Sequence, residues 1–236
     1  MGKVRIIVKI ILCGGYFGDR EQTAEVNKLY TSLIDKNKPI LYIPIAMEEC
    51  KFPICIEWIK SQLNPYGIDN IEMLTNIYSI DQYNLNNYSS IFIGGGNTYR
   101  LLYLLKDSSA FSIIRNYIEN DGIVMGGSAG AIIFGKDIHC TDYADSNIVN
   151  LIDTRGFNVI KGFDICCHYT NKDAERNEYE FEFISNYVAS GNKVFALPEE
   201  SSLFVEDDKL TVIGGRECTI FSSQKTILAP NTIYRF

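Results

Sequence analysis

The chain is predicted to be an α/β protein with a doubly wound, mostly parallel sheet, and three observations carry that prediction. Short apolar runs alternate with amphipathic helical segments through most of its length. Several runs, such as residues 39–46, are almost continuously apolar, as a parallel strand covered on both faces requires. Glycine clusters at 14–15, 94–96 and 126–130 close three of these runs, at the strand ends where such sheets bind ligands.

The elements follow in order. A first strand over residues 4–13 ends at Gly14-Gly15, and a helix over 20–37 sets Ala24, Leu29, Leu33 and Ile34 on one side. A buried strand at 39–46, a helix at 53–64 and a strand at 70–74 come next. The strand Ser90–Ile93 is closed by Gly94-Gly95-Gly96, and helices at 98–106 and 109–120 lead into a strand at 122–126. After an irregular stretch there is a strand at 163–167, a helix near 175–188 and a strand at 193–197. Beyond Ser201 the pattern changes to short strands at 203–205, 210–213, 218–221 and 226–228, separated by acidic or glycine turns that predict hairpins. No linker, repeat or low-complexity block divides the chain, so residues 1–236 read as one domain.

Composition excludes several function classes. Of 236 residues, 46% are hydrophobic and 22% charged, ordinary values for a globular protein. A formal net charge of −7 without a basic run argues against a nucleic-acid partner. The apolar N-terminus is broken by Arg5 and Lys9 and reads as a strand, not a signal peptide. No run approaches the roughly 18 apolar residues of a membrane span, so no membrane partner is expected. The seven cysteines are odd in number, scattered and mostly set in apolar runs (Cys13, Cys55, Cys166, Cys167). They read as the reduced thiols of a cytoplasmic protein.

The segment Gly126-Gly-Ser-Ala-Gly130 fits G-x-S-x-G, a sharp strand-to-helix turn that exposes a serine hydroxyl. Small neighbours suit a strained turn, and the helix behind it offers free N–H groups and a positive dipole end to a developing oxyanion. The plain alternative is a glycine-rich loop in which Ser128 only caps a helix. Gly94-Gly95-Gly96-Asn97-Thr98 is a second candidate, able to aim backbone N–H groups at a bound oxyanion beside that of Ala129. Asn97 or Thr98 as a simple N-cap is its bland alternative, and a phosphate cradle lacks the P-loop lysine.

A serine needs a base, and the chain has only His139 and His168. His168 follows the 163–167 strand and opens a polar loop, which favours it; His139 reads as structural or surface. A third group should orient the imidazole, and Asp142 and Asp145 both qualify, although aspartate is also common in turns. Cys13-Gly-Gly-Tyr-Phe-Gly18 imitates a dinucleotide fingerprint but lacks its first glycine, and Cys166-Cys167-His168 has no C-x-x-C partner. Neither a cofactor nor a metal is expected.

The motifs Gly-Gly-Gly-Asn-Thr at 94–98, Gly-x-Ser-Ala-Gly-Ala at 126–131 and His-Tyr-Thr-Asn at 168–171 resemble those of the dipeptidase E and cyanophycinase family of serine peptidases. The closing pattern from Ala196-Leu-Pro-Glu-Glu-Ser-Ser to Gly214 is similar too. The resemblance implies a three-layer α/β/α fold of the class I glutamine amidotransferase or flavodoxin type. It implies a catalytic set of Ser128, His168 and Asp145, with Asp142 as runner-up, and substrate contacts from Gly95, Gly96, Asn97, Ala129 and Arg176. Small acidic (Asp-X) peptides are the implied substrates, cleaved through an acyl-enzyme; a homodimer is left open. Two departures bear on substrate choice: Cys167 stands where the dipeptidases tend to have proline, and the arginines that cyanophycinases carry after the histidine are mostly absent. A cyanophycinase-like hydrolase of aspartyl-arginine polymers and a non-catalytic small-molecule sensor of the same fold are the rival readings.

Overall fold

A computed structural model describes residues 8–15 and 23–236. The first part of the chain holds β1 (Lys9–Cys13), α1 (Ala24–Leu33), β2 (Ile40–Ile43), α2 (Phe52–Leu63), β3 (Ile71–Met73) and β4 (Ser90–Ile93). Helices α3 (Thr98–Asp107) and α4 (Ala110–Glu119), strand β5 (Ile123–Gly127) and the one-turn α5 (Ala129–Ile132) follow. The remainder is β6 (Asp164–Cys167), α6 (Ala174–Ala189), β7 (Val194–Leu197), β8 (Ser201–Glu206), β9 (Lys209–Gly214), β10 (Cys218–Phe221), β11 (Thr226–Leu228) and β12 (Ile233–Arg235). The starts of the expected first strand and first helix lie outside the described residues.

The larger sheet has the order β12-β9-β8-β1-β5-β4-β2-β3. From β1 to β3 every pairing is parallel, whereas β8, β9 and β12 add antiparallel strands at one edge. Strand alternation explains the continuous apolar runs. Ile10 and Leu12 of β1 pack in one cluster with α3 and α4; Ile11 and Cys13 pack in another with α1 and α2. Both faces are therefore covered.

The expectation of one sheet is corrected. Strands β6 and β7 pair parallel to each other and join β10 and β11 in a separate four-stranded sheet. The free side of β1 is already occupied by β8, with Cys13 opposite Ser202, so β6 has no edge there to extend. Helix α1 also ends earlier than expected: Ile34 is extended, and Asp35 then accepts the N–H of Asn37 at 3.0 Å in a local turn.

The two sheets meet at the end of β1. The Gly14 N–H donates to the Ser201 carbonyl at 2.9 Å, and the His168 N–H donates to the Gly14 carbonyl at 2.8 Å. Behind this seam, in β6, Asp164 is fully buried and accepts the Asp137 N–H at 2.7 Å and the Tyr187 hydroxyl at 2.8 Å. Burial outweighs those hydrogen bonds and pushes its carboxyl up to about 6.

Candidate active site

Strand β5 runs directly into Ser128, whose φ of 52° and ψ of −118° are strained for a residue with a side chain. The flanking glycines are needed because the turn is tight. A Cβ at Gly126 would sit 2.2 Å from the Gly130 carbonyl oxygen, and one at Gly130 would sit 2.1 Å from that of Ile93. Helix α5 then begins at Ala129, whose N–H has no intrahelical acceptor. Because α5 is a single turn, its contribution is those N–H groups and not the dipole expected of a long helix.

The Ser128 Oγ lies 2.8 Å from Nε2 of His168, at the end of β6. Nδ1 of the same ring lies 2.7 Å from Oε1 of Glu199, just beyond β7. A carboxylate can only accept, so Nδ1 carries the proton and Nε2 is left to accept from the serine. His168 itself has a left-handed φ of 60° and Thr170 one of 59°, and buried groups hold this turn. The Thr170 N–H donates to Glu180 Oε2 at 3.0 Å, and Lys172 Nζ lies 2.8 Å from Glu180 Oε1. Glu180 is fully buried and also accepts from the Tyr143 hydroxyl. On the other side, the Glu199 N–H donates to Asn171 Oδ1 at 2.8 Å. A Cβ on Gly15 would come within 2.5 Å of Glu199 Cγ, so the glycine at the end of β1 lets the acid approach.

The third-member expectation is thereby corrected. Neither Asp145 nor Asp142 bonds the imidazole of His168. Asp145 Oδ2 accepts the Thr98 N–H at 2.9 Å and caps α3, while Asp142 bonds Tyr99 and lies 3.0 Å from Nδ1 of the surface residue His139. The contact of Glu199 with His168 was missed because it depends on β7 lying beside β6. The available signal was an acidic pair, Glu199-Glu200, ending a buried strand downstream of the histidine strand.

Two expected substrate contacts, Arg176 and Asn97, are not among the residues lining the cavity at Ser128. Arg176 is on the first turn of α6 with its side chain 75% exposed, facing Asp173 with Nε 3.7 Å from the carboxylate. It does not line the cavity at Ser128. Asn97 caps α3, with Oδ1 accepting the Arg100 N–H at 2.8 Å and Nδ2 donating to the Ser146 carbonyl at 3.0 Å. Gly95 and Gly96 do line the cavity, and a Cβ on Gly95 would stand 3.1 Å from Ser128 Cβ.

Ser128 and His168 open onto a cavity of about 390 Å³. Two further groups on its wall are held in neutral forms. Burial, with Cys166 and Glu180 nearby, pushes the Tyr143 phenol far above its usual range. Burial likewise pushes the Cys167 thiol well up, so the thiol close to the elbow is a poor competitor to the serine. Among the described residues, no group of His, Cys, Asp or Glu side chains is arranged to hold a metal ion, and no helix is long and apolar enough to cross a membrane.

The family model Peptidase family S51 matches residues 10–213 of this chain. The protein "Peptidase E" of Shewanella amazonensis is 26% identical over 235 residues, covering 93% of this chain and 94% of that protein. A Drosophila melanogaster protein described as "Probable alpha-aspartyl dipeptidase" is 28% identical over 192 residues, covering 79% and 77% respectively. Among solved structures, a peptidase from an acI-B1 Actinobacterium superposes with a TM-score of 0.74 at 18% identity, covering 98% of each chain.

Proposed function

The chain belongs to peptidase family S51 and is a serine-type peptidase; from that premise we propose that Ser128 is the nucleophile, His168 the base and Glu199 the acid that orients it. The observation that carries this reading is the continuous path from Ser128 Oγ to His168 Nε2 at 2.8 Å and from His168 Nδ1 to Glu199 Oε1 at 2.7 Å.

His168 takes the hydroxyl proton as Ser128 Oγ attacks the peptide carbonyl, then delivers it to the leaving amine. Glu199 keeps the productive tautomer and stabilises the imidazolium while it exists. The tetrahedral oxyanion is held by the Ala129 N–H and by the backbone of Gly95-Gly96, each donor contributing roughly 3–4 kcal/mol by comparison with other oxyanion holes. Water then enters by the same route to hydrolyse the acyl-enzyme, with His168 again as base.

The substrates are short peptides, and Asp-X peptides are the first to try because of the activity named for the Drosophila relative. The fold within this reading is a three-layer α/β/α arrangement of the class I glutamine amidotransferase type, supported by the two helical clusters on opposite faces of the larger sheet. A cytoplasmic address completes it, supported by six buried free thiols. The test pairs a fluorophosphonate probe with a dipeptide panel. Wild type should be labelled at Ser128 and hydrolyse part of the panel, and Ser128→Ala should lose both while keeping its melting temperature. Turnover by Ser128→Ala at the wild-type rate would remove the proposal.

A further inference from the structure

The cavity at Ser128 has a composition that bears on which peptide it takes. Its far side is backed by aromatic rings: Tyr42 and Phe92 are buried there and meet edge-on at 5.6 Å, and the half-buried Trp58 in front of them lies 6.3 Å from Phe92. Met47, Cys55 and Ile54 complete that side, all carried by β2, β4, α2 and the loops joining them. Ile54 is 72% exposed, a large aliphatic side chain facing water on the first turn of α2 beside the cavity. A bulky apolar ligand would cover part of such a group on binding.

The charge inside points the same way. Among the described residues lining the cavity there is no lysine or arginine, and Asp145 is the one acidic side chain. The cation expected from Arg176 lies elsewhere, paired toward Asp173. A carboxylate side chain packed beside Trp58, Met47 and Ile54 would lose its hydration without gaining a cationic partner among the described lining residues. An uncharged side chain of leucine or phenylalanine size gains by the same transfer.

We infer that this wall is a subsite for a bulky, uncharged side chain on one of the two residues flanking the scissile bond. The inference rests on Ser128 being the nucleophile. An Asp-X peptide satisfies the subsite when X is leucine, methionine or phenylalanine, and Asp-Gly does not. Ile54 and Trp58 are the specificity residues within reach of substitution, because neither is part of the catalytic path.

The test is a two-position dipeptide matrix, with Gly, Ala, Leu, Phe, Asp and Lys at each position, run on enzyme whose Ser128 labelling by fluorophosphonate has been measured. At one position kcat/KM should rise roughly ten- to a hundredfold from glycine or alanine to leucine or phenylalanine, the amount expected for several buried methylene groups. Ile54→Lys, a substitution at an exposed position, should cut that preference at least tenfold and raise relative turnover of peptides with aspartate there. Trp58→Ala should weaken the preference for phenylalanine more than that for alanine. Labelled enzyme that shows flat rates, prefers charged residues at both positions or cleaves nothing overturns the subsite and leaves the nucleophile standing. Failure to label Ser128 overturns both.

Discussion

Glu199 Oε1 lies 2.7 Å from His168 Nδ1 although 31 residues separate them, and β6 and β7 bring them together by pairing Cys167 with Leu197. The pairing puts the residues that follow both strands at the same sheet edge. It also assigns different duties to two acids that look interchangeable in sequence: Glu199 faces the imidazole, and Asp145 caps α3.

The two acids are separable by kinetics. Glu199→Gln should lower kcat by about 10³- to 10⁴-fold, since an amide on Nδ1 no longer fixes the working tautomer. Asp145→Asn should keep kcat within about tenfold of wild type and cost about 1 kcal/mol of stability, the size of a helix cap. Steady-state kinetics and thermal melts on both variants check this. The reverse ranking would return Asp145 to the catalytic set.

The glycine pair beside the nucleophile should divide in the same manner. A methyl on Gly95 comes 3.6 Å from Ser128 Oγ and 3.1 Å from its Cβ, so Gly95→Ala should retain the fold and lose most activity by crowding the attack site. Gly96 has a φ of 140°, and its methyl would sit 2.5 Å from the Ala46 carbonyl oxygen. Gly96→Ala should therefore unfold at lower temperature, by about 1–3 kcal/mol of strain. A Gly95→Ala enzyme with unchanged kcat would contradict the crowding of the attack site by this methyl.

Arginines give a third contrast. Arg176→Ala should change kcat/KM less than about twofold and stability by no more than roughly 0.5 kcal/mol, as for other exposed positions. Arg216 donates to Thr170 Oγ1 at 2.7 Å and to Glu200 Oε2 at 3.1 Å, tying the histidine loop to the segment of Glu199. Burial alone would raise the Glu200 carboxyl, but hydrogen bonds from Asn171 and Arg216 and the charge of Arg216 hold it below its usual range. Arg216→Ala should lower kcat severalfold with KM nearly unchanged, the pattern of a positioning residue; a pure KM effect would instead make it a substrate contact.

Asp164 makes stability depend on pH. Its folded carboxyl titrates at about 6, above the ordinary unfolded value of about 3.9. As pH rises between those values, the unfolded chain has given up its proton while the folded chain still holds it. Folding therefore weakens through this window, and about 3 kcal/mol of penalty persists above it. Asp164→Asn removes the penalty, so its melting temperature relative to wild type should be higher at pH 7 than at pH 4, by about 5–10 °C. Equal differences at the two pH values would contradict the assignment.

Ser128 was legible because the elbow is local: glycine spacing and the apolar run before it lie within ten residues. His168 was legible by scarcity, with one rival, and that rival is a surface residue bonded to Tyr99 and Asp142. The contact of Glu199 with His168 was not, since it comes from a strand pairing that periodicity does not report. The same blindness merged two sheets into one: an apolar run announces a strand but not its neighbour, and β8, not β6, lies beside β1. Strand β12 escaped notice because its three residues are mostly exposed and lack a buried face. Arg176 was assigned by position in the chain, and the first turn of α6 turns it to solvent.

The seam at Gly14 divides the chemistry by the order of synthesis. Ser128 follows β5 of the larger sheet, and its proposed partners His168 and Glu199 follow β6 and β7 of the smaller one, later in the chain. A nascent chain that has reached only the end of α5 already holds its serine but has neither partner. On the proposed mechanism, the path from serine to acid is complete only when the segments after β6 and β7 are in place beside the end of β1.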